Sequence, residues 1–346
     1  MTREVSYRVD VLRNGARFKS LRWDKDSAPN ILFNSEAEIQ ASLAGEFMPD
    51  AEVDFLKDEL KAVFISEGKE ESLGIFRAAA VRELRRGGGL RISVEAYDRS
   101  WLLKNKRTEN LLHLSAGESY LDTIKKLLLD AGIVNVRATA SAAVLPADRE
   151  DWGIGTEYLS IVNQLLEEMG YWAIWFDAQG WAHLEPYAPP SSNRILHSYG
   201  PKNMRLKPMA DDWEQESDIF NAPNVFICVC SNADRSGVLR AVSENTSLGS
   251  SKSIYRRGLR ICQITKLNQV ADQAALQTLA DKQRNDSLFS AKTLSFQSPA
   301  EAGHGSGDVI SISMPGIEGV YEEVSWSMEL SPGAMMNHMA KRTVFI

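Results

Sequence analysis

The stretch from residue 156 to residue 187 constrains the fold most, because it combines a helix, a stop signal and a hairpin. Apolar residues recur at helical spacing over its first half, Thr156 is suited to cap that helix, and Gly170 is placed where a left-handed cap ends a helix. The second half alternates around turn residues 177–180, which predicts a β-hairpin with apolar side chains on both faces. These aromatic residues either form core, which we favour, or supply a ligand platform for sugars or bases from Trp172, Trp175 and Trp181.

The composition predicts a folded protein of more than one domain. The 346 residues are 44% hydrophobic and 25% charged, which is typical of globular proteins. No apolar run is long enough to cross a bilayer and the N-terminus lacks the pattern of a signal peptide, so we expect folding in a cytoplasm without membrane insertion. A formal net charge of −7 argues against a broad surface that binds nucleic acid phosphates.

The pattern of short strands and glycine turns predicts an α+β fold dominated by β-structure. Asn14-Gly15 favours a tight hairpin near the start, and residues 225–230 are typical of a buried central strand. A capping box at 115–118 and an apolar face within 272–284 predict two further helices. We therefore expect a first small β-barrel domain at 1–108, an α/β insert of two helices and the aromatic hairpin at 109–190, and a second β-barrel domain with one packed helix at 191–346.

No pattern in the sequence assembles a catalytic constellation. In the loop 303–307, Ser306 is one place away from the position of a hydrolase nucleophile, so a flexible loop before a strand is the better interpretation. The five histidines are scattered without ligand spacing, which argues against a zinc site. We predict no catalytic residue, no cofactor and no metal.

Three further groups of residues are interpreted as structural. The acidic pairs Asp211-Asp212 and Glu322-Glu323 are predicted to be solvated surface. Four residues near the C-terminus have side chains that can bind soft metal ions, but we interpret them as packing or subunit-contact residues rather than a copper site: Met335, Met336, His338 and Met339. All three cysteines are predicted to be buried thiols, namely Cys228, Cys230 and Cys262.

Several segments together resemble the hub proteins of bacteriophage tails and phage-like elements. Each is degenerate alone, but they follow one another in the order of that family, at 95–106, 120–128, 171–177, 220–225 and 307–310. The resemblance implies two barrel domains related to the tail-tube fold, three copies of which form a pseudo-sixfold ring that joins a hexameric tube to a threefold tip. Hubs that cut cell walls usually carry an added C-terminal domain, and this sequence ends at Ile346, so we expect no lytic activity.

The resemblance also implies partners and a location. We expect a homotrimer in the virion tail, assembled in the host cytoplasm, that contacts the tail tube or distal tail protein, the tape-measure protein and the spike or tip protein. DNA is expected to pass through its channel without specific binding, and one acidic run fits a wall that is not basic: Asp211, Asp212, Glu214, Glu216 and Asp218. The alternative is a receptor- or carbohydrate-binding tail-tip protein that uses the aromatic platform.

Overall fold

A computed structural model describes residues 4–86, 88–200, 214–216, 222–231, 237–289 and 293–342. The first part contains β1 (Val5–Arg13), β2 (Ala16–Leu21), β3 (Asn30–Asn34), β4 (Ala41–Phe47), β5 (Glu59–Ser66), β6 (Lys69–Arg86), β7 (Gly89–Tyr97) and α1 (Ser100–Asn105). The middle part contains β8 (Leu112–Leu114), α2 (Tyr120–Asp130), β9 (Val136–Ala138), β10 (Arg149–Trp152), α3 (Tyr158–Glu168), β11 (Trp175–Phe176) and β12 (Ala182–Leu184).

The last part begins after a short 3-10 turn and is again rich in strands. It contains β13 (Ile195–Tyr199), β14 (Glu214–Glu216), β15 (Val225–Cys230), β16 (Leu239–Glu244), α4 (Ile254–Arg257), β17 (Cys262–Leu267), α5 (Gln273–Phe289), β18 (Thr293–Pro299), β19 (Val309–Met314), β20 (Ile317–Glu329) and β21 (Met335–Arg342). The predicted β-dominated α+β class is therefore confirmed. In the described part of the chain, no helix is both long and apolar enough to cross a membrane.

One sheet of thirteen strands joins the two ends of the chain. Its main path runs β14-β18-β21-β20-β3-β4-β7-β6-β5-β1-β2, and β19 pairs with both β13 and β20 beside that path. The junction is β20, which pairs antiparallel with β21 along most of its length and with β3 through residues 325–329. The path is open among the described strands, so closure into two barrels stays a prediction.

Local sequence explains the hairpins of the first part. Asn14 and Gly15 both have positive φ, 52° and 77°, which matches the tight turn expected between β1 and β2. Glu67 and Gly68 repeat this geometry between β5 and β6. In β6, Gly74 has φ 153° beside a register shift that leaves Leu73 without a partner on β5, and the Phe76 ring lies 2.5 Å from the place that a Cβ on Gly74 would take. Only glycine fits this irregularity without strain.

The insert has an apolar core of its own, built around α2 and α3. As predicted, α3 buries an apolar face and ends before Gly170, which has φ 73°. Two predicted caps were wrong. The N-cap of α3 is Glu157 rather than Thr156. The N-cap of α2 is Ser119, whose side chain accepts a hydrogen bond from the Asp122 N–H. The predicted capping box at 115–118 instead closes the turn before α2.

A second buried feature of the insert is an ion pair that sequence reasoning missed. Arg149 begins β10, and its side chain is only 1% exposed. Its guanidinium donates to both carboxylate oxygens of Glu168 at 2.6 and 3.0 Å, and the Tyr120 hydroxyl donates to the same carboxylate at 2.9 Å. The charges are thus paired inside the apolar core, as burial requires.

The small sheet β16-β15-β17 packs against α5. The predicted central strand is β15, and the predicted helical face is buried through Ala275, Leu276, Leu279 and Ala280. Cys228 and Cys230 are buried as expected. Cys262 is exposed, which corrects the prediction, because it lies at the start of the edge strand β17. Leu288 belongs to the end of α5.

Candidate functional site

A buried cluster of three ionisable side chains, His304, Glu323 and His338, lies in the C-terminal part of the chain. Its carboxylate lies between two imidazoles, with Oε2 at 2.6 Å from His304 Nδ1 and Oε1 at 2.6 Å from His338 Nδ1. The three side chains are at most 1% exposed. Glu323 is on β20, His338 is on the neighbouring strand β21, and His304 is on the loop that leads to β19. The cluster thus forms where three segments of the C-terminal part meet.

Hydroxyl groups and rings hold both imidazoles in place. His304 Nε2 is 3.2 Å from the Tyr199 hydroxyl, and His338 Nε2 is 2.8 Å from Ser298 Oγ. The His304 ring stacks on His197 with centroids 4.0 Å apart, and the His338 ring stacks on Phe296 at 4.6 Å. Every ring nitrogen of the two cluster histidines therefore has a polar partner.

Burial disfavours the charged form of each cluster group, and the ion pair opposes it. At Glu323 the two imidazoles outweigh burial and lower the carboxyl pKa to about 2. At His304 the Glu323 carboxylate outweighs burial and raises the pKa, whereas burial prevails at His338 and lowers its pKa. The Glu323 carboxylate thus favours the charged form of His304, whereas burial favours the neutral form of His338.

The cluster corrects two interpretations of the sequence. The pair Glu322-Glu323 is not solvated surface, because Glu323 is completely buried. The two residues do point to opposite faces of β20, and burial raises the pKa of the Glu322 carboxyl to about 7.

The histidines are scattered in sequence, but His304 and His338 converge in space on Glu323. The packing role expected near the C-terminus fits Met336 and His338, both buried, while Met335 and Met339 are partly exposed.

A cavity of about 240 Å³ adjoins the cluster. It lies between the first part of the chain, the aromatic hairpin and the loop 303–308, and both Trp326 and Trp175 line it. The indole N–H of Trp326 is buried there without a hydrogen-bond partner in the structure. Burial raises the pKa of the neighbouring Asp308 carboxyl to about 7, although that carboxyl accepts the Gly305 N–H.

The three tryptophans of the predicted platform contact three different partners. Trp175 stacks on His183 with ring centroids 3.9 Å apart. Trp172 lies at 4.6 Å from Tyr187 and lines a separate cavity, and the Arg137 guanidinium lies over Trp181 at 4.9 Å. Each ring is partly exposed. The platform itself stays a prediction.

The acidic run predicted for the channel falls almost entirely outside the described residues. Asp211, Asp212 and Asp218 are not described, and for Glu214 and Glu216 only the backbone is described, as strand β14. The segment 220–225 of the resemblance is described only from residue 222 onward.

A large sheet spans both ends of the chain, with an α/β insert between them. Comparison of the sequence with family models and with curated proteins finds no match. The fold, in contrast, is similar to a tail protein from Neisseria meningitidis, with TM-score 0.68, 16% identity and 97% of each chain covered. It is also similar to the 43 kDa tail protein of prophage MuSo2 from Shewanella oneidensis, with TM-score 0.64, 11% identity, and 97% of this chain and 98% of that chain covered.

A third similar structure comes from outside a phage. It is an E. coli component of the type VI secretion system that is itself described as similar to the phage T4 tail proteins gp27 and gp5. The TM-score is 0.52 at 11% identity, over 99% of this chain and 75% of that one. The resemblance to phage tail and baseplate hub proteins is thus confirmed at the level of the fold.

Proposed function

We propose that this chain is a structural hub protein of a phage tail tip or baseplate, located in the virion tail. The observation that carries the proposal is the similarity of fold over 97% of this chain and 97% of the Neisseria tail protein, since such agreement includes the insert as well as the sheet. The E. coli relative in fold, with its likeness to gp27 and gp5, supports a hub rather than another tail part. We retain the division at residues 108 and 190 as part of this proposal.

The proposed assembly is a homotrimeric ring that adapts a hexameric tube to a threefold tip. Two β-rich parts per chain in three copies present six similar units around one axis. Strand β2 ends the main path of the large sheet, and an open sheet edge favours pairing with another chain. Phe18 on β2 is 42% exposed, which places an apolar ring at that edge.

Light scattering of the purified chain at micromolar concentration, alone and with its tail partners, tests the assembly. A mass three times that of one chain is expected, and a monomer under both conditions would refute it. Phe18→Lys puts a charge on the open edge and should weaken the trimer if β2 is a contact. Leu32→Lys is the matched control, because Leu32 is 46% exposed on β3 and is paired on both sides, with Ser327 of β20 and with Ser42 of β4.

The ring is proposed to leave a channel that passes DNA without binding it. A wall rich in Lys and Arg would hold phosphates, and the net charge of −7 supports a wall that is not basic. A gel-shift titration with duplex DNA at low salt should show no submicromolar binding, since electrostatic attraction is least screened there. Salt-sensitive submicromolar binding would contradict the proposal.

A structural role also implies that the chain does not cut peptidoglycan. We expect no clearing in a zymogram of the purified chain. The alternative function, carbohydrate or receptor binding at the tail tip, draws support from Trp175, which is partly exposed and lines a cavity. Glycan-array binding that is lost in Trp175→Ala would favour that alternative over the hub.

A further inference from the structure

We propose that His304, Glu323 and His338 form a binding site for a divalent transition-metal ion, with Zn²⁺ as the natural probe. Two imidazoles and one carboxylate are a donor set that suits zinc and its neighbours in the first transition row. This inference is independent of the proposed hub function, because it rests on the cluster alone.

The donor atoms lie close together. One ligand atom from each of the three residues lies within 4.8 Å of the other two. Each Nδ1 faces an oxygen of the Glu323 carboxylate at 2.6 Å, so the set supplies two imidazole nitrogens and one carboxylate. Zinc sites with three protein ligands take a further donor in the fourth position. Metal bonds of about 2.0–2.2 Å at tetrahedral angles place nitrogen and oxygen roughly 3.4 Å apart, so each nitrogen must move away from its oxygen by about 0.8 Å. The ion then replaces the hydrogens that the imidazoles share with the carboxylate.

The surroundings orient the ligands as metal sites require. A metal-bound imidazole usually has its second nitrogen fixed by a polar partner, which sets the tautomer and the ring plane. Here the Tyr199 hydroxyl is at 3.2 Å from His304 Nε2 and Ser298 Oγ is at 2.8 Å from His338 Nε2. The stacked rings of His197 and Phe296 restrict the two imidazoles further. Both Nδ1 atoms are therefore held facing the carboxylate before any ion arrives.

The scaffold holds the three ligands together and away from solvent. Glu323 and His338 are on paired strands, and the Glu323 N–H donates to the Asp308 carbonyl at 2.9 Å, which fixes the loop carrying His304 against β20. The three side chains are at most 1% exposed. An ion here would link β20 and β21 to the loop before β19, and because only the folded chain brings the ligands together, binding would stabilise the fold.

The test is the metal content of the full-length chain, produced in medium supplemented with Zn²⁺, desalted, and analysed by elemental mass spectrometry. One ion per chain is expected, together with a melting temperature that falls when a chelator removes the ion and recovers when Zn²⁺ is restored. His338→Gln and Glu323→Gln should bind none. Ser298→Ala, which removes only the hydroxyl that orients His338, should bind 10–100-fold more weakly.

His183→Gln is the matched control. His183 also lies between two carboxylates, with its ring nitrogens at 2.9 Å from Glu185 and 3.1 Å from Asp177. Replacing His183 therefore tests whether the metal binds adventitiously to any histidine that has carboxylate neighbours. It should retain the full metal content. A wild-type chain that holds no Zn²⁺ or Co²⁺, even after refolding in the presence of either ion, overturns the proposal. Equal metal content in wild type and in a folded His338→Gln variant overturns it as well.

Discussion

Trp326 stacks on Phe33 across the junction between the two ends of the chain, with ring centroids 5.9 Å apart and planes 18° apart. The two residues are direct partners in the β20–β3 pair, and each is 4% exposed. Trp326→Ala removes this contact and leaves a void, so we expect the free energy of unfolding to fall by about 3–5 kcal/mol. Urea unfolding measures the change.

The neighbouring position on β3 supplies the control for the junction. Leu32 is 46% exposed, so Leu32→Ala should change stability by at most about 0.5 kcal/mol. If Leu32→Ala and Trp326→Ala lowered the free energy of unfolding equally, the buried contact at the junction would contribute no more to stability than an exposed side chain of the sheet.

The ion pair in the insert predicts a non-additive pair of substitutions. Arg149→Met leaves the Glu168 carboxylate buried without its cation, which should cost about 3–5 kcal/mol. In the double variant with Glu168→Gln no charge is stranded, and the amide oxygen still accepts from Tyr120, so the loss should be smaller than for Arg149→Met alone. Guanidinium unfolding of the four proteins checks this, and a double variant less stable than either single one would contradict it.

A side chain at position 74 is expected to destabilise the fold. Gly74→Ala combines strain at φ 153° with a Cβ 2.5 Å from the Phe76 ring, and should destabilise the chain by about 1–3 kcal/mol. Gly153→Ala is the control, because nothing lies within 4 Å of its added Cβ. Thermal unfolding compares the two variants. A Gly74→Ala protein as stable as the Gly153→Ala protein would contradict the backbone conformation of Gly74 and its close contact with the Phe76 ring.

The pair of Asp58 with Arg13 predicts a stability loss in acid. The Arg13 guanidinium, which donates to both Asp58 oxygens at 2.8 and 2.9 Å, lowers the pKa of that carboxyl. Because the folded pKa is below the unfolded value of about 3.9, the pair stabilises the fold above that pH, and the contribution is lost as pH falls through the folded pKa. Unfolding free energies between pH 7 and pH 3 should therefore converge for wild type and Asp58→Asn. A constant difference over that range would contradict the assignment.

Sequence patterns predicted the local elements well where a few neighbouring residues determine them. Asn14-Gly15 forms its hairpin, Gly170 ends its helix, and β15 is a central strand. The helix starts were less certain, because several polar residues compete to cap the same turn: Ser119 rather than the box at 115–118 caps α2. Cys262 was misplaced because alternation along a strand does not reveal that the strand lies at an edge.

The buried cluster could not be found from spacing, since its residues belong to three different segments. Glu323 and His338 become neighbours only through the antiparallel register of β20 and β21, which shifts just after Glu323. His304 joins them because its loop is held by the Asp308 carbonyl. Two signals were nevertheless present in the sequence, the glycine-rich loop around His304 and the histidine within a methionine-rich final strand.

Negative-stain electron microscopy of the purified chain tests the central claim, a hub that assembles as a ring, most directly. We expect closed rings with threefold symmetry, in which six similar units surround a central channel, and the same rings on the tips of tails. Class averages that show only single subunits, or closed particles without a channel, both alone and with tail partners present, would contradict it.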